Sequence, residues 1–153
     1  MNTRYLIQSY NDGGIIRDCS SQLKYANEIW DKIFSGKVYA FSSIVPSDLP
    51  EKAGVYVIWL KDTEEVLYVG RTKNIRQRLY TNHLMGNKSS ARLKKYLVDD
   101  TNLPAIVEYS DAKQYIKDNC CFQFILVEDN NERGHIEGLL GFLTEARYIE
   151  MEH

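Results

Sequence analysis

The sequence is poor in the residues that would commit it to several protein classes. Its three cysteines, Cys19, Cys120 and Cys121, are odd in number and include an adjacent pair. That pattern suits neither a disulfide framework nor the paired spacings of a zinc site. Each cysteine is therefore expected to be a reduced thiol packed as a small hydrophobe. Three prolines in 153 residues exclude a proline-rich linker. No run of about 18 apolar residues occurs, so neither a helical membrane span nor a membrane partner is expected. The opening MNTRYLIQSYNDGG has no apolar core of the kind a secretion signal carries, and a cytoplasmic location is expected. An overall excess of positive charge is also missing, since 19 Lys and Arg face 21 Asp and Glu.

What is present is ordinary in amount and uneven in placement. With 44% hydrophobic and 26% charged residues, the chain can bury the core of one soluble domain. Residues 71–95 hold eight basic residues and no Asp or Glu: Arg71, Lys73, Arg76, Arg78, Lys88, Arg92, Lys94 and Lys95. Outside that window, eleven basic residues face twenty-one acidic ones. Such concentration is the electrostatic footprint of a phosphate-binding face. Two solvated amphipathic helices would give the same pattern.

Residues 1–50 read as an N-terminal extension packing on a core domain of residues 51–153. In the extension, Asn11-Asp12-Gly13-Gly14 predicts a hairpin turn. Ser20 or Ser21 would cap a helix to about Phe34. Its stripe is Leu23, Ala26, Ile29, Trp30 and Ile33, and Gly36 stops it. Pro46 and Pro50 mark an irregular approach to the core. Residues 54–61 predict a strand, Asp62 to Glu65 a turn, and 66–69 the partner strand. Thr72 would cap a helix over 73–82, which Gly86 and Asn87 end. Ser89 or Ser90 would open a second helix through Leu93 and Leu97. A short strand over 105–109, a short helix over 111–117 and an apolar strand over 120–127 come next. Asn130 or Asn131 precedes a last helix with the stripe Ile136, Leu139, Leu140 and Leu143. The fold class is α+β, one small sheet with helices packed on it.

Within the hairpin, Gly54-Val55-Tyr56 opens one strand and Tyr68-Val69-Gly70 closes the next. Arg78 comes on a helix, eight residues past Gly70. This constellation resembles the GIY-YIG nuclease superfamily over roughly residues 50 to 145. The resemblance implies a central three-stranded antiparallel sheet flanked by helices. It also implies a metal-dependent endonuclease that hydrolyses DNA phosphodiester bonds. Such hydrolysis needs a group for the water, a charge for the phosphate oxygens and, usually, a divalent ion.

By that resemblance Tyr56 would act as base or position the water, and Tyr68 would position the phosphate or support the water. Arg78 would stabilise the transition state through its permanent, forked charge. Glu137, beside the apolar stripe of the last helix, would hold one Mg²⁺ or Mn²⁺ with waters and substrate phosphate. The competing reading of Glu137 is an i,i+4 ion pair with Arg133. Arg71, Lys73, Arg76, Lys88, Arg92, Lys94 and Lys95 would contact nucleic acid.

Two departures from the family pattern stand out. The family often places His or Tyr four residues after the arginine. Here that position is Asn82, and His83 comes one later, about 140° round a regular α-helix. His83 would reach the site only if the helix ends or loosens. The family's closing proline and asparagine are both missing from Leu143-Thr144-Glu145-Ala146-Arg147-Tyr148. A weak or inactive nucleic-acid-binding module of the same fold is therefore the alternative. The extension carries no recognisable DNA-reading motif. Structure-guided or non-specific cutting of branched or damaged DNA is expected, or specificity supplied by a protein partner.

Overall fold

The computed structural model describes residues 17–86 and 91–150. The hairpin expected near Asn11, Lys88 and the cap expected at Ser89 or Ser90 lie outside that description, while the cap expected at Ser20 or Ser21 is replaced by Cys19, with no side-chain hydrogen bond. Elements run in the order α1 (Ser20–Phe34), β1 (Tyr39–Ala40), β2 (Gly54–Leu60), β3 (Val66–Thr72), a π-helix (Gln77–Leu84), α2 (Arg92–Asp99), α3 (Tyr109–Asn119), β4 (Cys120–Leu126) and α4 (Asn130–Thr144).

The sheet is antiparallel, ordered β1-β4-β2-β3. It has four strands rather than the expected three. Tyr39 and Ala40 pair with Phe122 and Cys121 at the free edge of β4. Two residues carry no readable alternation, so composition could not announce this strand. The hydrophobic strand 120–126 is central, as its apolar character predicts.

Alternation along β2 splits the core in two. Tyr56 and Ile58 face Phe122, Leu79, Leu93, Leu97 and Ile116, beneath the π-helix, α2 and α3. Val55 and Val57 face Ile29, Ile33, Ile136 and Leu140, beneath α1 and α4. Buried Gln123 ties α1 to the sheet: it accepts from Trp59 Nε1 at 3.2 Å and donates to the carbonyls of Phe34 and Gly36. Leu23, placed on the α1 stripe by its spacing, is instead 63% exposed.

The strand expected over 105–109 does not form. Ile106 and Val107 suit strands by side chain, but the Asp111 carboxylate accepts from Val107 N and Glu108 N and starts α3 at Tyr109. Local capping outweighs a weak propensity. The outer edge of β3 is only partly covered. At its start, Arg147 N and Tyr148 N donate to Val66 O and Leu67 O. Its far half, from Tyr68 to Thr72, borders two clefts.

Candidate active site

Register across β2 and β3 builds the site. Tyr56 lies directly opposite Gly70, and Tyr68 opposite Ile58. Residues two apart share a face, so both tyrosines project to one side, with ring centroids 6.1 Å apart. A Cβ at Gly70 would collide with the Tyr56 phenol, and one at Gly54 with the Ile125 carbonyl of β4. The glycines of the motif are thus steric requirements: one lets a tyrosine cross its partner strand, the other lets a third strand approach.

The helix after β3 is wider than expected. Thr72 and Asn74 start it together. Thr72 Oγ1 accepts from Asn74 N, and Asn74 Oδ1 accepts from Gln77 N at 3.0 Å. From Gln77 the chain is π-helical, with Met85 N bonded to Tyr80 O five residues back. An i→i+5 turn places a residue nearly above the one five before it. His83 is therefore brought back towards Arg78, where an α-helix would point it away. His83 is buried, with Nε2 2.7 Å from the Tyr56 phenol and its ring 5.3 Å from that of Tyr68. Its Nδ1 is buried and finds no partner among the described residues.

Burial and charge keep these groups neutral. Burial, then the cations Arg78, Lys94 and Arg92, push the His83 pKa down to about 3. Burial, with Tyr68 adding to it, holds the Tyr56 phenol well above its ordinary range, and Arg78 opposes. Burial also raises Tyr68, but the charge and hydrogen bond of Arg92 oppose it directly. The two phenols differ in access. Tyr56 is 1% exposed, whereas Tyr68 is half-buried and lines a cleft.

That cleft, of about 400 Å³, also takes in Arg92, Tyr96, Glu137 and Tyr148. A second cleft of about 380 Å³ is lined by Arg71, Lys73, Gln77 and Arg78 with Asn130 and Arg133. The two meet where Arg71 Nε lies 3.6 Å from Glu137 Oε2. A Cβ at Gly134 would strike the Arg71 guanidinium, so the glycine lets Arg71 lie along α4. The i,i+4 pairing of Glu137 with Arg133 does not form. Arg133 is buried and donates to the carbonyls of Val127 at 3.1 Å and Glu128 at 2.6 Å. Partial burial raises the Glu137 pKa, and Arg71 pulls it back.

The donor set bears on a divalent ion. Among the described residues no cluster of three or more His, Cys, Asp or Glu could cage one. Glu137 offers one half-exposed carboxylate, and Arg71 stands off from it at 3.6 Å. One carboxylate completed by waters and a substrate phosphate fits a hard ion such as magnesium and does not fit zinc.

The basic window divides by role. Arg71, Lys73 and Arg78 line the polar cleft, Arg92 lines the aromatic one, and Lys95 is exposed. Arg76 does not: its Nε donates to Leu49 O at 2.8 Å and its Nη1 lies 3.4 Å from Glu51. Lys94 is 2% exposed and donates to Gly86 O at 2.9 Å, with burial lowering its pKa to about 8. Both hold the fold around the π-helix. Sequence reasoning missed Asn130, Arg133, Tyr96 and Tyr148 as lining residues. One signal was available: Gly134, Gly138 and Gly141 sit inside a single helix, where each costs about 1 kcal/mol relative to Ala. At Gly134 the missing side chain makes room for Arg71, and over Gly138 and Gly141 the space is open.

Residues 52–118 match the model of the GIY-YIG catalytic domain. The matched stretch is under half of the chain and contains Tyr56, Tyr68 and Arg78. The domain matched is a catalytic one. The GIY-YIG domain here is also similar to three solved structures of one protein domain, the N-terminal GIY-YIG endonuclease domain of UvrC from Thermotoga maritima. Each is a point mutant bound to its catalytic divalent cation. Identity is 18%, 17% and 18%, with 67% of this chain and 88% of that chain covered, at a TM-score of 0.36. No curated protein matches the chain.

Proposed function

We propose that the protein is a metal-dependent endonuclease acting on DNA, with its reacting centre at the β3 edge between Tyr68, Glu137 and Arg78. The observation that carries this reading is the junction of the two clefts. A carboxylate and an accessible phenol border one, a set of cations borders the other, and both open beside the same strand.

Glu137 would hold Mg²⁺ or Mn²⁺. When bound, the ion would neutralise charge on the phosphate and acidify a water. Tyr68 meets the cleft and is the group that handles the water. Arg92 lies beside it, and its charge opposes the burial that keeps the phenol protonated. The water-facing role expected of Tyr56 gives way, because that phenol is sealed at 1% exposure. Tyr56 and His83 instead form a buried pair that fixes the Tyr68 ring from behind. Arg78 supplies transition-state charge, and Arg71 and Lys73 hold the flanking phosphates.

The test is cleavage of plasmid, branched and single-stranded DNA with Mg²⁺ or Mn²⁺. Tyr68→Phe is expected to lose about 10²–10⁴-fold in rate, the range for a general base. Glu137→Gln should lose cutting and Mn²⁺ binding together, the latter read by electron paramagnetic resonance. The missing proline and asparagine near Tyr148 favour a second reading, a binding module of the same fold. Salt-sensitive binding with no product on any substrate, with either metal, would establish that reading in place of ours.

A further inference from the structure

The aromatic cleft holds more than Tyr68 and Glu137 need for hydrolysis. Tyr96 stands 6.2 Å from Tyr68, and Tyr148 stacks on Tyr96 at 5.4 Å with 2° between ring planes. Tyr148 is anchored twice: its hydroxyl donates to Asp100 at 2.6 Å and its backbone N to Leu67 O at 2.9 Å. The facing wall is α4. There a Cβ at Gly138 or Gly141 would meet nothing within 4 Å, so the helix leaves open space over its glycines. At about 400 Å³ the cleft is of small-ligand size. The neighbouring cleft is lined by cations and amides.

A nucleic-acid strand has the same division, an anionic backbone on one side and flat apolar bases on the other. Aromatic surfaces accept bases of any sequence by stacking, beside a basic groove that tracks phosphates. A base within a duplex is already stacked and paired and must be extruded before it can enter such a cleft. We propose that the cleft of Tyr68, Tyr96 and Tyr148 is a subsite for an unpaired nucleobase next to the scissile phosphate. The substrate class is then nucleic acid that is single-stranded at the cut: a flap, a gap or a free strand. This rests on the nuclease reading and names its substrate.

Labelled oligonucleotides with paired and unpaired nucleotides at one fixed position test the inference with Mg²⁺ and Mn²⁺. Unpaired substrate should be cut at least about tenfold faster than paired, and an abasic residue at that position should abolish the advantage. Gly141→Leu fills the cleft with a better helix former, so its melting temperature should hold or rise. Its unpaired-to-paired rate ratio should fall to about one. In the Glu137→Gln protein, an unpaired fluorescent purine analogue should be quenched on binding, and Gly141→Leu should remove that quenching. Equal cutting of paired, unpaired and abasic substrates would overturn the subsite and leave the nuclease standing. Quenching without cutting of any substrate by the parent protein would overturn the nuclease reading and leave the base-binding cleft.

Discussion

Gly70 and His83 show how single residues set the geometry of the proposed site. Because a methyl at position 70 would enter the Tyr56 phenol, Gly70→Ala must shift either that ring or the β3 backbone. Overpacking of this kind costs about 1–3 kcal/mol, and a displacement near 1 Å costs about 10²-fold in rate. We expect a lowered thermal midpoint and a cleavage rate down by about that factor. A variant melting and cutting like the parent would remove the steric account. His83 carries a pH dependence of known sign. Its folded pKa, about 3, lies below the ordinary 6.5, so the unfolded chain takes up a proton that the folded chain refuses. Stability is therefore full above pH 6.5 and falls as pH drops towards 3, by about 1.4 kcal/mol per unit. Urea midpoints at pH 7.5 and 5 should fall further in the parent than in His83→Gln, where no imidazole titrates.

At the scale of elements, the π-helix is the device that rescues a displaced histidine. One residue more than the family spacing separates Arg78 from His83, and the wide turn absorbs it. Deleting Asn82 should restore an α-helix with the arginine and histidine four apart. That variant is expected to cut within about tenfold of the parent, about 1.4 kcal/mol in the barrier, and to melt no lower. A loss as deep as that of His83→Ala would show that the wide turn itself is required. The same element marks the limit of what the sequence discloses. The hairpin was legible because Gly54, Tyr56, Tyr68 and Gly70 constrain one another across adjacent strands. Glu137 was legible because it flanks a clear apolar stripe. The π-turn was not, since it arises from burying His83 against Tyr56, a contact 27 residues apart. The fates of Arg76 and Lys94 were hidden for a like reason. A basic side chain looks the same in sequence whether it meets a phosphate or the carbonyl of Leu49.

Over the whole molecule, a net charge of -2 coexists with a cationic border along one strand edge. Binding to DNA should therefore be governed by the local cations and depend steeply on salt. On the proposed reading, the cleft-lining Arg71, Lys73, Arg78 and Arg92 and the exposed Lys95 would neutralise phosphates. Five such contacts give a slope of log affinity against log salt of roughly -4. The slope can be read by fluorescence anisotropy with Glu137→Gln, the variant expected not to cut. Lys73→Ala should reduce it by about one, at unchanged stability, because its side chain is exposed in the cleft. Arg76→Ala should do the reverse. It leaves the slope unchanged and lowers stability by about 1 kcal/mol through loss of the bond to Leu49 O. Two basic residues three apart would then separate cleanly, one acting on the ligand and one on the fold. Equal effects of both variants on the slope would place Arg76 among the phosphate contacts and enlarge the interface beyond the two clefts.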